Sequence, residues 1–246
     1  MNVYWIKNKY MKKTLIIIPT YNEKDNIEKI INEIFNLNKD VQILFVDDNS
    51  PDGTSDIIKS FNSLNINLIT RKAKLGLGSA YIEGFNWAIN NNFDYVVQMD
   101  ADLSHNPKDV SKLTQKTGEF DLIIGSRYIN GISIVNWPLS RLILSYLANL
   151  YARLIIGIPI LDVTGGFKCI STRLLKQINL NNIKSEGYSF QIEVNFLAWI
   201  HNFKIKEVPI VFTDRTKGES KMSKKVIFEA IYMVPYLFFK KIINFK

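Results

Sequence analysis

The chain has 246 residues, of which 47% are apolar and 22% are charged, a balance typical of a folded globular protein rather than a disordered one. Its single cysteine, Cys169, excludes an internal disulfide and fits a reducing compartment. No apolar stretch precedes the first predicted strand, so we expect no secretory signal and a cytosolic location.

The net charge of +8 is concentrated at the two ends of the chain. Residues 1–13 carry +4 and residues 215–246 carry +6, which leaves −2 on the remainder. Basic ends on a nearly neutral body favour phosphate ligands or an anionic membrane surface, and they argue against a nucleic-acid groove across the fold. Solvated lysine tails would give the same charge pattern.

Apolar strand-like segments alternate with helical periodicity from Thr14 to Gly125, which predicts an α/β domain with a mostly parallel sheet. The predicted strands are Thr14–Ile18, Val41–Val46, Ile66–Thr70, Tyr95–Met99 and Leu122–Ile124. Between the first two strands, isoleucines recur at the spacing of one helix face, at positions 27, 30, 31 and 34. Asn106 followed by Pro107 predicts the start of another helix, with the asparagine as its N-cap.

Polar residues follow three of these strands at the sheet edge where parallel α/β sheets bind their ligands. They are Pro19-Thr20-Tyr21-Asn22-Glu23 after the first strand, Asp47-Asp48-Asn49-Ser50-Pro51-Asp52-Gly53-Thr54 after the second, and Asp100-Ala101-Asp102 after the fourth. Unrelated surface loops would not place their carboxylates so consistently at strand ends. We therefore predict a nucleotide and metal site along this edge.

Asp100 and Asp102 form the predicted centre of that site. Alternate residues of an extended chain point to the same side, so the two carboxylates converge if the strand geometry continues past Met99. Two carboxylates suit Mg²⁺ or Mn²⁺, which complete their coordination with water and substrate phosphates. The tripeptide alone leaves open a simple exposed Asp-x-Asp turn.

The second half of the chain has fewer predicted strands and two long apolar segments. Residues 142–161 are interrupted by a serine, an asparagine, an arginine and a proline, so they predict a buried or interfacial helix and not a membrane span. Residues 226–239 are flanked by lysine pairs, an arrangement that favours a helix lying in the headgroup region of a membrane. Simple coverage of the sheet by both helices is the alternative.

Other ligand-binding motifs are excluded. The segment Gly76-Leu77-Gly78-Ser79-Ala80-Tyr81 begins like a dinucleotide-binding loop but has tyrosine where that loop requires its last glycine. The sequence contains no Walker loop, no His-Glu-x-x-His and no Cys-x-x-Cys, and its two histidines, His105 and His201, are too few for a histidine metal site.

Five ordered motifs together resemble the dolichol-phosphate (polyprenol-phosphate) mannosyltransferases, which are inverting family 2 glycosyltransferases. The motifs are Ile18-Pro19-Thr20-Tyr21-Asn22-Glu23, Asp47-Asp48-Asn49-Ser50-Pro51-Asp52-Gly53-Thr54, Met99-Asp100-Ala101-Asp102-Leu103-Ser104-His105, Gly125-Ser126-Arg127-Tyr128 and Arg215-Thr216-Lys217-Gly218-Glu219-Ser220-Lys221. The resemblance implies one GT-A domain over residues 1–246, with a Rossmann-like, mostly parallel sheet and a C-terminal interfacial helix. Residues 14–125 would bind the nucleotide sugar, residues 126–221 the acceptor, and the basic amphipathic helix at 222–246 the membrane.

The resemblance also implies roles for individual residues. The positions that match nucleotide contacts are Pro19, Tyr21, Glu23, Val46 and Asp48. The positions that match the sugar-nucleotide and metal segment are Asp100, Ala101 and Asp102, with Asp102 as the stronger metal ligand. The cations that match phosphate contacts are Arg127, Arg215 and Lys221, and a guanidinium fork suits phosphate oxygens. Asp102 and Arg127 are therefore the expected catalytic residues.

Three further positions are ambiguous. Some family members have glutamine where this chain has Ser104, so a metal-ligand role for this serine stays open. Asp162 and Glu193 lie in segments that also resemble the family, and contact with substrate and a purely structural role are both consistent with the sequence.

The reaction implied by the resemblance moves mannose from GDP-mannose to a polyprenyl phosphate, dolichyl or undecaprenyl, with inversion and with Mg²⁺ or Mn²⁺ as cofactor. A phosphate monoester is mostly a dianion at neutral pH, so this acceptor needs no general base. The alternatives are another donor such as UDP-glucose, a saccharide acceptor that requires Asp162 or Glu193 as base, or a non-catalytic sugar-nucleotide-binding or scaffold protein. We expect a peripheral protein on the cytoplasmic face of a membrane, with or without an anchoring subunit, and no nucleic-acid partner.

Overall fold

The computed structural model describes residues 12–38, 41–183, 185–214 and 224–244, and in the last range the side chains of 229 and 231–242. The strands are β1 Thr14–Thr20, β2 Gln42–Asp47, β3 Ile66–Thr70, β4 Tyr95–Gln98, β5 Leu122–Ser126, β6 Ile134–Val135, β7 Lys168–Ser171, β8 Ile205–Pro209 and β9 Phe212–Thr213. The helices are α1 Lys24–Leu37, α2 Thr54–Ser60, α3 Leu77–Asn90, α4 Val110–Thr114, α5 Leu139–Ile156, α6 Thr172–Gln177, α7 Gly187–Ile200 and α8 Lys224–Asn244.

Seven strands form one sheet in the order β3-β2-β1-β4-β7-β5-β8. Strand β1 pairs in parallel with β2 and β4, β2 with β3, and β5 with β8, whereas β7 runs antiparallel between β4 and β5. The predicted mostly parallel sheet is confirmed. Because β7 and β8 come from the second half of the chain, both halves of the sequence build the same sheet.

The five predicted strands correspond to β1–β5. Strand β3 has the predicted bounds, β1 and β5 each continue two residues further, and β4 ends one residue earlier, at Gln98. These strands read as nearly continuous apolar runs because helices cover both faces of the sheet. On β1, Leu15 and Ile17 pack in the layer that contains Phe85 of α3, and Ile16 and Ile18 pack against the four buried isoleucines of α1.

The predicted cap at Asn106 is confirmed, although the helix that it starts is short. The Asn106 side chain accepts a hydrogen bond from the backbone N–H of Lys108, and a single 3₁₀ turn at Pro107–Asp109 leads into α4. This arrangement satisfies one of the free N–H groups at the helix start.

Helices α5 and α8 are the two long apolar segments of the second half. Helix α5 ends earlier than predicted because Gly157 adopts a left-handed conformation (φ 76°) and its N–H closes the last turn on the Arg153 carbonyl. Among the described residues, α5 alone is long and apolar enough to span a membrane by length and composition. Helix α8 packs against α5 and α7, and the Tyr151 hydroxyl donates to the Ile231 carbonyl at 3.1 Å.

Candidate active site

A cavity of about 600 Å³ opens at the carboxyl ends of the parallel strands, within the size range of small-molecule sites. Its walls include all three polar segments that follow β1, β2 and β4, as the sequence predicted. The predicted site residues that line it are Pro19, Tyr21, Glu23, Asp48, Asp100, Ala101, Asp102 and Arg127.

Three predicted site residues are not brought to this cavity by the described structure. Val46 is fully buried within β2 and packs in the core of the sheet, apart from the cavity lining. Arg215 and Lys221 lie outside the described residues. Substrate contacts of these three residues stay predictions.

The loop between β3 and α3 forms one wall and is organised by Asp48. The Asp48 carboxylate accepts hydrogen bonds from Arg71 Nη1 at 2.7 Å and from the backbone N–H groups of Leu75 and Gly76 at 3.1 and 3.2 Å. The same loop places the Lys74 ammonium 4.1 Å from the centroid of the Tyr21 ring. An aromatic face and a cation therefore meet where the sequence predicts nucleotide binding.

Asp100 and Asp102 both line the cavity, on a turn and not on a continued strand. The extended geometry that convergence would require does not continue past Met99: the chain turns at 101–103, and Leu103 has a φ of 62°. The turn forms because Asp102 Oδ1 accepts from the backbone N–H of Ser104 at 3.1 Å, a local bond typical of aspartate turns. His105 Nδ1 accepts from the backbone N–H of Asp100 at 3.1 Å and closes the turn.

Asp100 and Asp102 both influence the buried Tyr81. Burial, followed by the negative charges of Asp100 and Asp102, raises the pKa of Tyr81 well above its ordinary value. Across the described residues, no group of three or more His, Cys, Asp or Glu side chains is arranged to hold a metal ion. An aspartate pair without a third protein ligand fits a Mg²⁺ or Mn²⁺ ion that takes its remaining oxygens from a diphosphate and water.

Arg127 and Asp162 form a buried ion pair beside the cavity. Asp162 Oδ2 accepts from the backbone N–H of Arg127 at 2.9 Å and from its Nε at 2.8 Å, and Oδ1 accepts from Nη2 at 2.6 Å. Thr164 accepts a further bond from Nη2 at 2.9 Å. Burial would lower the pKa of Arg127, but the charge and hydrogen bonds of Asp162 outweigh burial and raise it above its ordinary value.

Gly165 makes room for this ion pair. A Cβ at this position would stand only 3.1–3.2 Å from the Asp162 carboxyl atoms. Asp162 itself has no exposed surface. It is therefore an anchor for Arg127 and not a base that substrate can reach.

Glu193, the other predicted base, is also engaged inside the protein. Its Oε2 accepts from the Ser185 hydroxyl at 2.6 Å, and its Oε1 lies 3.8 Å from Lys240 Nζ of α8. Its neighbour in the same segment, Glu186, does line the cavity, and its Oε2 accepts from the backbone N–H of Gly78 at 2.8 Å. Burial raises the pKa of Glu186, and the charge of Glu229 adds to that rise.

Several lining residues were missed by the sequence reasoning. They are Lys74, His105, Trp137, Arg141, Glu186, Tyr188 and Gln191. Lys74 could have been found because it precedes the Gly76–Gly78 segment after a predicted strand, the position where the other polar loops were sought. Arg141 carried no such signal: it reaches the cavity from α5, where Nη1 pairs with Asp214 at 2.9 Å and the guanidinium lies 4.2 Å from the Trp137 ring centroid.

Known proteins match both the sequence and the fold. The family model described as glycosyl transferase family 2 matches residues 15–178. Polyprenol monophosphomannose synthase of Mycolicibacterium smegmatis is 41% identical over 227 residues, covering 91% of this chain and 86% of the relative. Undecaprenyl-phosphate mannosyltransferase of Micrococcus luteus is 38% identical over 224 residues, covering 90% of this chain and 92% of the relative.

A solved structure shares the fold at lower sequence similarity. Glucosyl-3-phosphoglycerate synthase from Mycobacterium tuberculosis, in complex with Mn²⁺, UDP and glucosyl-3-phosphoglycerate, superposes with a TM-score of 0.66 at 21% identity, covering 91% of this chain and 80% of that one. The likeness confirms the predicted GT-A architecture. With a family model matching residues 15–178 and relatives near 40% identity over most of its length, the chain belongs to glycosyl transferase family 2.

Proposed function

We propose that this protein transfers mannose from GDP-mannose to a polyprenyl phosphate, with inversion at the anomeric carbon. The names of the two curated relatives support this acceptor class. The observation that carries the proposal is the acceptor side of the cavity, which offers arginine cations while both predicted bases are held inside the protein.

A phosphate acceptor suits this arrangement because it arrives already ionised. Two arginines of the described chain, Arg127 and Arg141, line the cavity. Arg127 uses Nε and Nη2 on Asp162 and Thr164, which leaves Nη1 for a phosphate oxygen. Arg215 and Lys221 add cations to the same group in our proposal, and together these charges offset the repulsion between two anionic substrates.

The geometry removes both bases that the sequence offered for a saccharide acceptor. Its hydroxyl would need a general base within hydrogen-bonding reach. Asp162 is fully buried against Arg127, and Glu193 is buried against Ser185 and Lys240. Neither carboxylate lines the cavity.

On the donor side, Asp100 and Asp102 would hold a Mg²⁺ or Mn²⁺ ion whose charge stabilises the departing nucleoside diphosphate. The Asp102 side chain is oriented for this role by the Ser104 N–H, and the Asp100 backbone is held by His105. Tyr21 offers its ring to the base, and Glu23 and Asp48 offer nearby carboxylates. We assign two catalytic contributions to these residues: they position the substrates and they stabilise charge.

A lipid acceptor also requires access from a membrane, and α5 and α8 provide an apolar surface for it. The exposed large apolar side chains on these helices are Leu139, Ile143, Tyr146, Leu147, Leu154, Ile155, Ile231, Tyr232, Tyr236, Phe239 and Ile242. We call this surface the α5–α8 face. The basic chain ends favour a peripheral position on an anionic membrane, on the cytoplasmic side in our proposal.

A transfer assay with the full chain tests the proposed function. GDP-mannose and UDP-glucose are each offered with undecaprenyl and dolichyl phosphates, with and without a chelator. We expect label to enter lipid only from GDP-mannose and only when divalent metal is present, and we expect Asp102→Asn to reduce the rate at least about 100-fold.

Glu119→Gln is the matched control, because Glu119 is exposed and lies outside the cavity. If label enters lipid from UDP-glucose and not from GDP-mannose, the proposed donor is wrong. Transfer to a free sugar, or full activity in chelator, would overturn the acceptor or the metal assignment.

A further inference from the structure

Gln191, on the second turn of α7, has an amide that the proposed reaction does not yet use. Its side chain is 3% exposed and lines the cavity, yet its Oε1 is buried without a hydrogen-bond partner among the described residues. The Gln191 backbone is fixed, because its carbonyl accepts from Lys168 Nζ at 3.2 Å. A buried acceptor without a partner is costly to keep, so this atom is poised for a donor that a ligand supplies.

Gly166 keeps the space beside this amide open. A Cβ at Gly166 would meet only Gln191 Nε2 at 3.7 Å and His105 Cε1 at 3.9 Å, which are ordinary contact distances. Its backbone is not in the left-handed region either. Neither the backbone nor the neighbouring atoms therefore require glycine here, and the missing side chain leaves a niche bounded by Gln191, Gly166 and His105 that opens into the cavity.

The chemistry of this niche suits a hydroxyl group and not a phosphate. Its walls are a neutral amide, an imidazole edge and a glycine. Arg127 and Arg141, the cations that suit phosphate, also line the cavity, but they are not among the three residues that bound the niche. An amide both accepts and donates hydrogen bonds, as a sugar hydroxyl does.

The niche also adjoins the place where the donor diphosphate is proposed to bind. His105, which forms one wall, accepts the backbone N–H of Asp100 at 3.1 Å. The hexose of a nucleotide sugar is bonded directly to that diphosphate, so it must lie next to the aspartate turn.

We infer that the niche of Gln191, Gly166 and His105 receives the hexose of the donor, and that the Gln191 amide hydrogen-bonds a sugar hydroxyl and so helps to determine which sugar is transferred. This inference rests on the proposed function, because it takes a nucleotide sugar as the donor.

Binding of GDP and of GDP-mannose to wild-type and Gln191→Leu protein, measured by calorimetry with Mg²⁺ and no acceptor, tests the inference. We expect Gln191→Leu to weaken GDP-mannose binding about fivefold to tenfold, the size of a lost neutral hydrogen bond, and to leave GDP binding unchanged. Gln191→Met, which keeps the unbranched shape, replaces the leucine variant if that variant does not fold.

Gln98→Leu is the matched control, because Gln98 is also buried, with both amide atoms unpartnered among the described residues, but does not line the cavity. We expect it to change neither affinity. Equal losses of affinity for GDP and GDP-mannose, or no loss of affinity for GDP-mannose, would overturn the niche. If wild-type protein binds UDP-glucose instead, the proposed donor is wrong, and the same Gln191 comparison between UDP-glucose and UDP decides the inference separately.

Discussion

Lys168 is a lysine with no exposed surface on a strand inside the sheet, an unusual environment for a charged side chain. Its ammonium group donates to Asn195 Oδ1 at 2.8 Å and to the Gln191 carbonyl, so it ties β7 to α7 behind the active site. Burial lowers its pKa to about 7, with Asp162 opposing and Arg127 reinforcing that shift. The lysine therefore supports the segment that carries the proposed sugar niche.

This pKa predicts a specific pH dependence of stability. Below pH 7 the lysine is protonated in the folded and unfolded protein alike, and between about 7 and its ordinary 10.5 the unfolded state binds more protons. The contribution of Lys168 to the free energy of unfolding is therefore lowest below pH 7, and it rises as the pH increases above 7. We expect the free energy of unfolding of wild type to rise relative to Lys168→Met by about 1.4 kcal/mol per pH unit above pH 7.

Urea denaturation of both proteins at pH 6, 8 and 9 measures this difference. Lys29→Met is the control, because the Lys29 side chain is 65% exposed, and its difference from wild type should stay flat. A flat difference for Lys168→Met as well would show that Lys168 titrates as an ordinary lysine.

At the same scale, the sequence located some site residues and could not locate others. The sequence predicted Asp100, Asp102 and Tyr21 as site residues because each of them follows a strand. Each of these strands is recognisable from its run of apolar residues. The partnership of Arg127 with Asp162 joins residues 35 positions apart, and no local pattern reports which carboxylate an arginine will meet. The sequence therefore left both substrate contact and a structural role open for Asp162, and its burial in the structure favours the structural role.

Between elements, the loop that joins β3 to α3 shows how a buried ion pair shapes a binding wall. Asp48 follows β2 and Arg71 follows β3, and their side chains are 8% and 3% exposed. Arg71 also donates to the Gly76 carbonyl at 3.1 Å and to the Ser79 hydroxyl at 2.6 Å. One pair thus fixes the ends of two strands and the start of α3.

We expect removal of the Asp48 charge alone to lower the free energy of unfolding more than removal of both the Asp48 and the Arg71 charges. Asp48→Asn leaves a buried guanidinium with Glu83, at 3.2 Å, as its remaining ion-pair partner, and we expect the free energy of unfolding to fall by about 3 kcal/mol. Adding Arg71→Met to Asp48→Asn removes the stranded charge and should recover part of that loss. Urea denaturation of the two variants is the measurement, and a double variant less stable than Asp48→Asn would contradict the argument.

The elements themselves were largely predictable, and their ends were not. Strands β1–β5 and the buried face of α1 follow from apolar periodicity alone. Helix α5 stops at Ile156 and not at 161, because Gly157 closes it while the apolar residues Ile158 and Ile160 continue into the core. Strand β7 escaped prediction because it is four residues long and starts with Lys168, a residue that reads as exposed.

Across the whole molecule, the donor cavity and the α5–α8 face are parts of one connected assembly. Helix α5 carries Arg141 to the cavity and Leu154 to the surface, where it is 74% exposed. Helix α8 meets the cavity wall through Glu229, whose Oε1 accepts from the backbone N–H of Glu186 at 2.8 Å. In our proposal, a lipid phosphate that reaches Arg127 and Arg141 therefore keeps its polyprenyl chain along helices whose apolar side chains are exposed.

Charge placed on that face tests the membrane proposal. Leu154 and Tyr232 are each 74% exposed, so Leu154→Glu with Tyr232→Glu should not disturb the core. We expect the double variant to bind anionic vesicles at least about tenfold more weakly in flotation assays, because carboxylates must be dehydrated to enter the headgroup region. Leu64→Glu, at a residue 98% exposed beside the edge strand β3, is the control and should bind like wild type. Equal vesicle binding by all three proteins would place the membrane contact elsewhere.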